Sequence, residues 1–136
     1  MRNLIEKNAR VIYDKELDCL YVHLIGFISY NDLVRVLQYE FQMVQYYKPD
    51  KCVVDLTAIK VYPSGGKEYI KDVWFPHMES NGMQYVACVV PDNPFGEASM
   101  QKAHEKAAEH KKLEVRHFRD IASAKAWVSY SMAGNV

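Results

Sequence analysis

The sequence lacks both a net charge and a long apolar run. Its 17 Lys and Arg residues balance 17 Asp and Glu residues, so the overall charge does not attract the protein to nucleic acid or to an anionic membrane. No stretch approaches the roughly 18 apolar residues of a membrane span, and residues 1–7 do not resemble a signal peptide. We therefore expect a soluble, cytoplasmic protein with no nucleic-acid partner and no membrane span.

Cysteine is scarce. The sequence has only Cys19, Cys52 and Cys88, an odd number at wide spacing, each beside apolar residues. A disulfide framework or a zinc knuckle would need more cysteines or closely spaced pairs. We predict three buried, free thiols, because a free cysteine behaves as a small hydrophobic residue.

Catalytic and metal-binding motifs are also absent from the sequence. It contains no Gly-x-Ser-x-Gly elbow, no phosphate-binding loop and no dinucleotide-binding fingerprint. The histidines show no HExxH-type spacing, and His104 and His110, six residues apart, would face different sides of a helix. The sequence therefore predicts no cofactor, no metal site and no enzymatic activity.

What the sequence does contain is the composition of one folded domain. Apolar residues make up 49% and charged residues 25% of the 136 residues. A chain of this length can bury roughly two thirds of the surface that its unfolded form exposes. No segment has the composition of a linker, and no internal repeat is visible. We predict a single domain over residues 1–136.

Strand-like and helix-like segments alternate along the chain. Apolar spacing after Ser29 predicts a first helix that ends before Pro49, and Pro76 should bend or end the second helix because proline lacks the amide. Asp120 is positioned to cap the last helix. The predicted strands are 9–13, 19–25, 52–56, 85–90 and 113–118, and the later helices are 67–75, 97–111 and a final one that carries Ile121 to Val128.

This β-β-α-β-α-β-α-β-α order predicts an α/β fold. Strands that alternate with helices pair in parallel through right-handed crossovers. The first two strands should form an antiparallel hairpin. We therefore expect a four- to five-stranded, mostly parallel sheet with an antiparallel N-terminal hairpin strand, in which the most apolar strand, 85–90, lies centrally.

Two segments resemble a known family. The run from Val53 to Thr57, Val-Val-Asp-Leu-Thr, and the closing segment 118–128, with its aromatic-acidic start and its Trp127-Val128 ending, resemble the STAS domain, and particularly its SpoIIAA-like, STAS/SEC14-type branch. The likeness spans essentially the whole chain. It implies a SpoIIAA-like fold and a regulatory or protein-interaction role in bacterial signalling.

The resemblance also implies a candidate regulatory loop. In phosphoregulated STAS proteins, a serine that opens the helix after the third strand is phosphorylated, and Ser64 falls on that position, although Pro63 replaces the family's aspartate. A phosphate there would meet free helix amides and add about two negative charges. Serine is also a common helix cap, so an ordinary capping role is the alternative. The candidate phosphoacceptor or interaction loop comprises Asp55, Thr57, Ser64, Gly65 and Gly66.

Aromatic residues follow this loop and leave two functions open. Aromatic side chains are common at the centre of protein interfaces and in the walls of apolar pockets. The first function is a non-catalytic module that binds another protein through residues 57–66 and the next helix, under control at Ser64; an exposed Ser64 at a helix start would distinguish it. The second, implied by the SEC14-like resemblance, is a carrier of a small apolar, lipid-like ligand in an enclosed cavity beside the first helix. A homodimer is compatible with both. The candidate interface or pocket residues are Tyr62, Tyr69, Trp74 and Phe75.

Overall fold

The computed structural model describes the backbone of residues 1–134 and the side chains of residues 1–130, so the last two residues of the predicted domain lie outside the described residues. The strands are β1 (Leu4–Ile5), β2 (Ala9–Asp14), β3 (Cys19–Leu24), β4 (Gly26–Phe27), β5 (Lys51–Asp55), β6 (Ile59–Val61), β7 (Tyr85–Val89) and β8 (Glu114–Phe118). The helices are α1 (Tyr30–Tyr47), α2 (Gly66–Tyr69), α3 (Phe75–Ser80), α4 (Pro94–Ala103) and α5 (Ile121–Gly134), with a π-helical turn at Ile70–Trp74 and a 3-10 turn at Ala107–Glu109.

Within the described residues, six strands form the main sheet in the order β1-β2-β3-β5-β7-β8. The pairs β1–β2 and β2–β3 are antiparallel, and the pairs from β3 to β8 are parallel. The predicted α/β class, with its mostly parallel sheet and N-terminal hairpin, is confirmed. The structure adds β1 and a separate ribbon in which β4 pairs with β6. Strands of two or three residues are too short to carry a periodic signal in the sequence.

The helices cover the two faces of the sheet unequally. The helices α1 to α4 pack with the π turn over one face, and α5 packs over β5, β7 and β8 on the other. On β7, Val86 and Cys88 face the larger core, whereas Ala87 and Val89 face α5. Because both faces of β7 are buried, the strand needs an apolar residue at nearly every position. All three cysteines are buried and free, as predicted.

The second helical segment does not end at Pro76. The chain stays helical to Ser80, and Pro76 occupies the first turn of α3, where the missing amide costs little. The π turn immediately precedes it, and the backbone N–H of Phe75 donates to the carbonyl of Ile70, five residues earlier. The widened turn therefore carries the helix past the proline.

The predicted helix 97–111 is shifted and shortened. The helix α4 begins at Pro94, where the Asn93 side chain accepts a hydrogen bond from the Gly96 amide at 2.7 Å, and it ends at Ala103. Residues 104–111 favour a helix by propensity, but His104 leaves the helix and bonds to His117 of β8. A tertiary contact therefore overrides local propensity here. Within the described part of the chain, no helix combines the length and the apolar character needed to cross a membrane.

The end of α1 makes a testable prediction. Lys48 caps this helix in the left-handed conformation, at φ 52° and ψ 50°. The left-handed conformation costs a non-glycine residue about 1 kcal/mol. A glycine at this position would avoid that cost, but its greater freedom in the unfolded chain offsets part of the stabilisation. We expect Lys48→Gly to raise the free energy of unfolding by about 0.5 kcal/mol in urea denaturation. Lys48→Ala keeps the left-handed cost and is the control; equal stabilisation by both variants would contradict the prediction.

Candidate functional site

Three connections meet beyond the carboxyl ends of the parallel strands. The first connection joins β3 to β4, the second joins β5 to β6, and the third joins β7 to α4. The ribbon joins the first two connections, with Phe27 opposite Val61. Asn93 ties the third connection to the ribbon, because its side-chain amide donates to the Ile59 carbonyl at 2.9 Å. Open α/β sheets place their ligand sites at this edge.

Asp55 ends β5 and caps the turn that follows. Its Oδ1 accepts hydrogen bonds from the backbone N–H of Thr57 at 3.0 Å and from the Thr57 hydroxyl at 2.6 Å. On the neighbouring strand, His23 Nε2 lies 3.7 Å from Asp55 Oδ2. These contacts assign Asp55 and Thr57 to a local capping arrangement at the base of the loop.

Ser64 is exposed two residues before α2 begins. The residue that caps this helix is Gly65, in the left-handed conformation at φ 84°, and no side chain caps the helix. Ser64 therefore does not serve as the ordinary cap that its residue type allows. The feature that distinguishes the interaction hypothesis, an exposed Ser64 at a helix start, is present.

A shallow depression lies beside Ser64. The rings of Tyr30 and Tyr69 meet edge to face in it, with centroids 6.4 Å apart. A Cβ atom at Gly65 would lie only 3.0 Å from the Tyr30 ring, so the glycine allows this ring to close over the loop. Glu68 and Asp72 also line the depression, and neither belongs to an ion pair among the described residues.

Exposed apolar side chains lie in this depression and on the ribbon whose strands lead into it: Tyr30 and Val73 line the depression, and Phe27 pairs with Val61 in the ribbon. Phe27 is 74% exposed and Val73 is 39% exposed, and Tyr30 and Val61 are exposed as well. Single exposed apolar residues are normal on a protein surface, whereas several on neighbouring segments indicate a candidate interaction site. We call this group the Ser64 surface; it comprises Phe27, Tyr30, Val61, Ser64, Tyr69 and Val73.

A second feature is a small cavity between α1, the π turn and the sheet. Its volume is about 20 Å³. Space of this kind holds about one water molecule. The predicted pocket residues Tyr62 and Trp74 line it, together with residues of α1, but Tyr69 lies outside on the Ser64 surface. The residues that line the cavity include Leu37, Glu40, Tyr62, Trp74, Cys88 and His104.

Glu40 of α1 is the unexpected polar residue in this cavity wall. It is fully buried, at 0% exposure. Its Oε1 accepts a hydrogen bond from the indole N–H of Trp74 at 2.7 Å, and the Cys52 thiol lies 3.6 Å from Oε2. Burial raises the pKa of Glu40 to about 7, although both hydrogen bonds oppose the shift. No motif in the sequence marks Glu40, and its position in the apolar stripe between Leu37 and Val44 is the local signal of its burial.

Comparison with solved structures bears on the fold. The chain is similar to an uncharacterized protein of the DUF3478 family with a SpoIIAA-like fold from Shewanella loihica PV-4, with a TM-score of 0.62 and 14% sequence identity over 94% of this chain and 98% of that chain. This chain has a SpoIIAA-like fold. The fold implied by the segments 53–57 and 118–128 is thus confirmed. A scan against protein-family models and a search of curated proteins find no match.

Within the SpoIIAA-like fold, the predicted site residues separate into two places. Ser64, Gly65 and Tyr69 line the depression, whereas Tyr62 and Trp74 face the interior cavity. The other predicted residues have structural surroundings: Phe75 is buried in the core beside Trp74, Gly66 packs against Leu33 and Pro63, and Asp55 and Thr57 form the capped turn.

Glu40 makes the stability of the fold depend on pH. Its pKa is about 7 in the folded protein, against an ordinary value of 4.5. Between these values the unfolded chain loses the proton while the folded protein keeps it, so the free energy of unfolding falls as the pH rises, by about 3 kcal/mol in total. Glu40→Gln removes this titration and keeps an acceptor for Trp74.

We therefore expect the stability of Glu40→Gln relative to wild type to increase by about 3 kcal/mol between pH 4 and pH 8, measured by urea denaturation across this range. Glu68→Gln removes a carboxyl group at an exposed position and is the matched control for the substitution itself. A constant difference between Glu40→Gln and wild type at all pH values would contradict the interpretation.

Proposed function

We propose that this protein is a non-catalytic interaction module that binds another protein through the Ser64 surface. The observation that carries the proposal is the group of exposed apolar side chains around an exposed serine at a helix start. Aromatic and aliphatic side chains in such a position contribute free energy when a partner removes them from water. The site lies at the carboxyl edge of the parallel strands, where this class of sheet binds its ligands.

The chemistry of the Ser64 surface indicates the kind of partner. Phe27 has the most exposed apolar side chain of the Ser64 surface, at 74%, and is suited to insert into a pocket of the partner. Glu68 and Asp72, four residues apart on the adjacent helix, add negative charge beside the apolar group. Electrostatic complementarity then favours a partner segment that carries a basic residue next to an apolar one.

Ser64 gives this surface a means of control. A phosphate on its hydroxyl would add about two negative charges to a rim that already carries Glu68 and Asp72. For a partner with a basic segment, the added charge strengthens association and makes it more sensitive to salt. No histidine lines the described depression, so the Ser64 hydroxyl has no imidazole there to activate it as a nucleophile.

The interior cavity gives the alternative carrier function less support. Pockets for small ligands usually enclose about 300 Å³ or more. The cavity beneath α1 measures about 20 Å³. A lipid-like molecule would therefore require Trp74 and α1 to separate, which would break the hydrogen bond between Trp74 and Glu40.

The proposal is tested by capture of cross-linked partners from cells that express the protein. Phe27→Asp replaces the most exposed apolar side chain of the Ser64 surface with a charge, so we expect at least an approximately tenfold loss of the captured protein. Tyr46→Asp is the matched control, because Tyr46 is 66% exposed and lies near the other end of α1, about 24 Å along the helix from Tyr30.

A protein captured equally by wild type, Phe27→Asp and Tyr46→Asp would refute binding through the Ser64 surface. Ser64→Asp should increase the amount of captured protein relative to Ser64→Ala, because the added negative charge attracts the basic segment of the partner. Sedimentation velocity identifies the remaining case, in which the partner is a second copy of this chain and the wild-type dimer dissociates on Phe27→Asp.

A further inference from the structure

Three metal-ligating side chains converge where α4 meets β7 and β8. Cys88 lies on β7, His117 lies on β8, and His104 follows the last residue of α4. One ligand atom from each of the three lies within 4.8 Å of the other two. Cys88 and His117 are register partners on adjacent parallel strands, so their side chains project from the same face of the sheet.

The fold holds His104 over this pair. The helix ends at Ala103, and the backbone N–H of His104 still donates to the Met100 carbonyl at 2.9 Å. Phe75 packs edge-on against the His104 ring, with centroids 5.2 Å apart. His104 Nδ1 then lies 2.9 Å from His117 Nε2. Two imidazole nitrogens therefore face one another beside a thiol.

The chemistry of the three side chains suits a metal ion. Each histidine offers a ring nitrogen, and Cys88 offers a sulfur that becomes a thiolate when a cation replaces its proton. Neutral imidazole and thiolate are the ligand forms that bind zinc.

The surroundings leave one side of the cluster accessible. Cys88 and His104 border the interior cavity, and His104 and His117 also line an open cleft on the outer surface with Met100 and Phe118. His117 is exposed, whereas Cys88 is buried. An ion bound to all three side chains would therefore have its fourth coordination position directed toward the cleft.

The geometry points to a new site: Cys88, His104 and His117 bind a divalent metal ion of the zinc class, with water or a small anion as the fourth ligand. Typical zinc bond lengths place two histidine nitrogens about 3.3 Å apart, and a nitrogen and a sulfur about 3.6 Å apart, in a tetrahedral site. The observed separations of 2.9 Å between the imidazoles and at most 4.8 Å within the cluster need only small side-chain movements.

Binding has a defined proton balance. The metal–sulfur bond forms as the S–H bond of Cys88 breaks, and the proton passes to solvent. The hydrogen that joins the two facing imidazole nitrogens moves to the other nitrogen of its ring, so the histidines release no proton. One proton should therefore leave per metal ion bound.

The site is tested on the full-length protein after removal of metal with a chelator. Calorimetric titration with Zn²⁺ should show one ion per chain and the release of about one proton. Titration with Co²⁺ should produce visible d–d bands of a tetrahedral complex and a thiolate-to-cobalt charge-transfer band. His117→Asn is the first variant, because the exposed position allows the chain to fold, and it should weaken Zn²⁺ binding about 100-fold or more.

Two controls separate the site from general effects of substitution. Cys88→Ala should abolish the charge-transfer band, whereas Cys52→Ala, which removes another buried thiol of the same core, should leave the band unchanged. His110→Asn removes a histidine close in sequence that is not in the cluster and should not change the affinity. The proposal is overturned by the absence of saturable Zn²⁺ and Co²⁺ binding, by unchanged affinity in His117→Asn, or by a charge-transfer band that persists in Cys88→Ala.

Discussion

Parallel pairing of β3, β5, β7 and β8 is the constraint on which the rest of the structure depends. Parallel strands require crossover connections, and the helices in those connections must bury both faces of the sheet. The same pairing brings the ends of β3, β5 and β7 to one edge, where the Ser64 surface is assembled from separate parts of the chain. It also sets Cys88 beside His117, because the register of β7 and β8 makes these residues partners.

The hydrogen bond between Glu40 and Trp74 connects two of the elements that this sheet supports. Trp74 ends the π turn, and its indole reaches the Glu40 carboxyl inside the core. A buried carboxyl opposes folding once it must ionise, so its presence in an otherwise apolar helix face lowers stability near neutral pH. The widened turn and the buried acid together fix how α1 packs against the segment that begins at Ser64.

The two proposed sites use different properties of one scaffold. The Ser64 surface consists of side chains that the fold leaves in water, and the function proposed for it depends on a partner that covers them. The cluster at His104 consists of side chains that the register of β7 and β8 and the end of α4 bring within reach of one another. The first site lies at the strand ends and the second lies over a strand face.

Apolar periodicity and turn residues are local signals, and they predicted the alternation of strands and helices, the hairpin, the mostly parallel sheet and the loop through Ser64. Local signals did not reveal the short strands β4 and β6, the end of α4 at Ala103 or the burial of Glu40. Positions 88, 104 and 117 show no motif, and only strand register and the departure of His104 from its helix bring them together. Contacts between residues distant in sequence depend on the packing of whole elements, and this packing was decided by the tertiary structure alone.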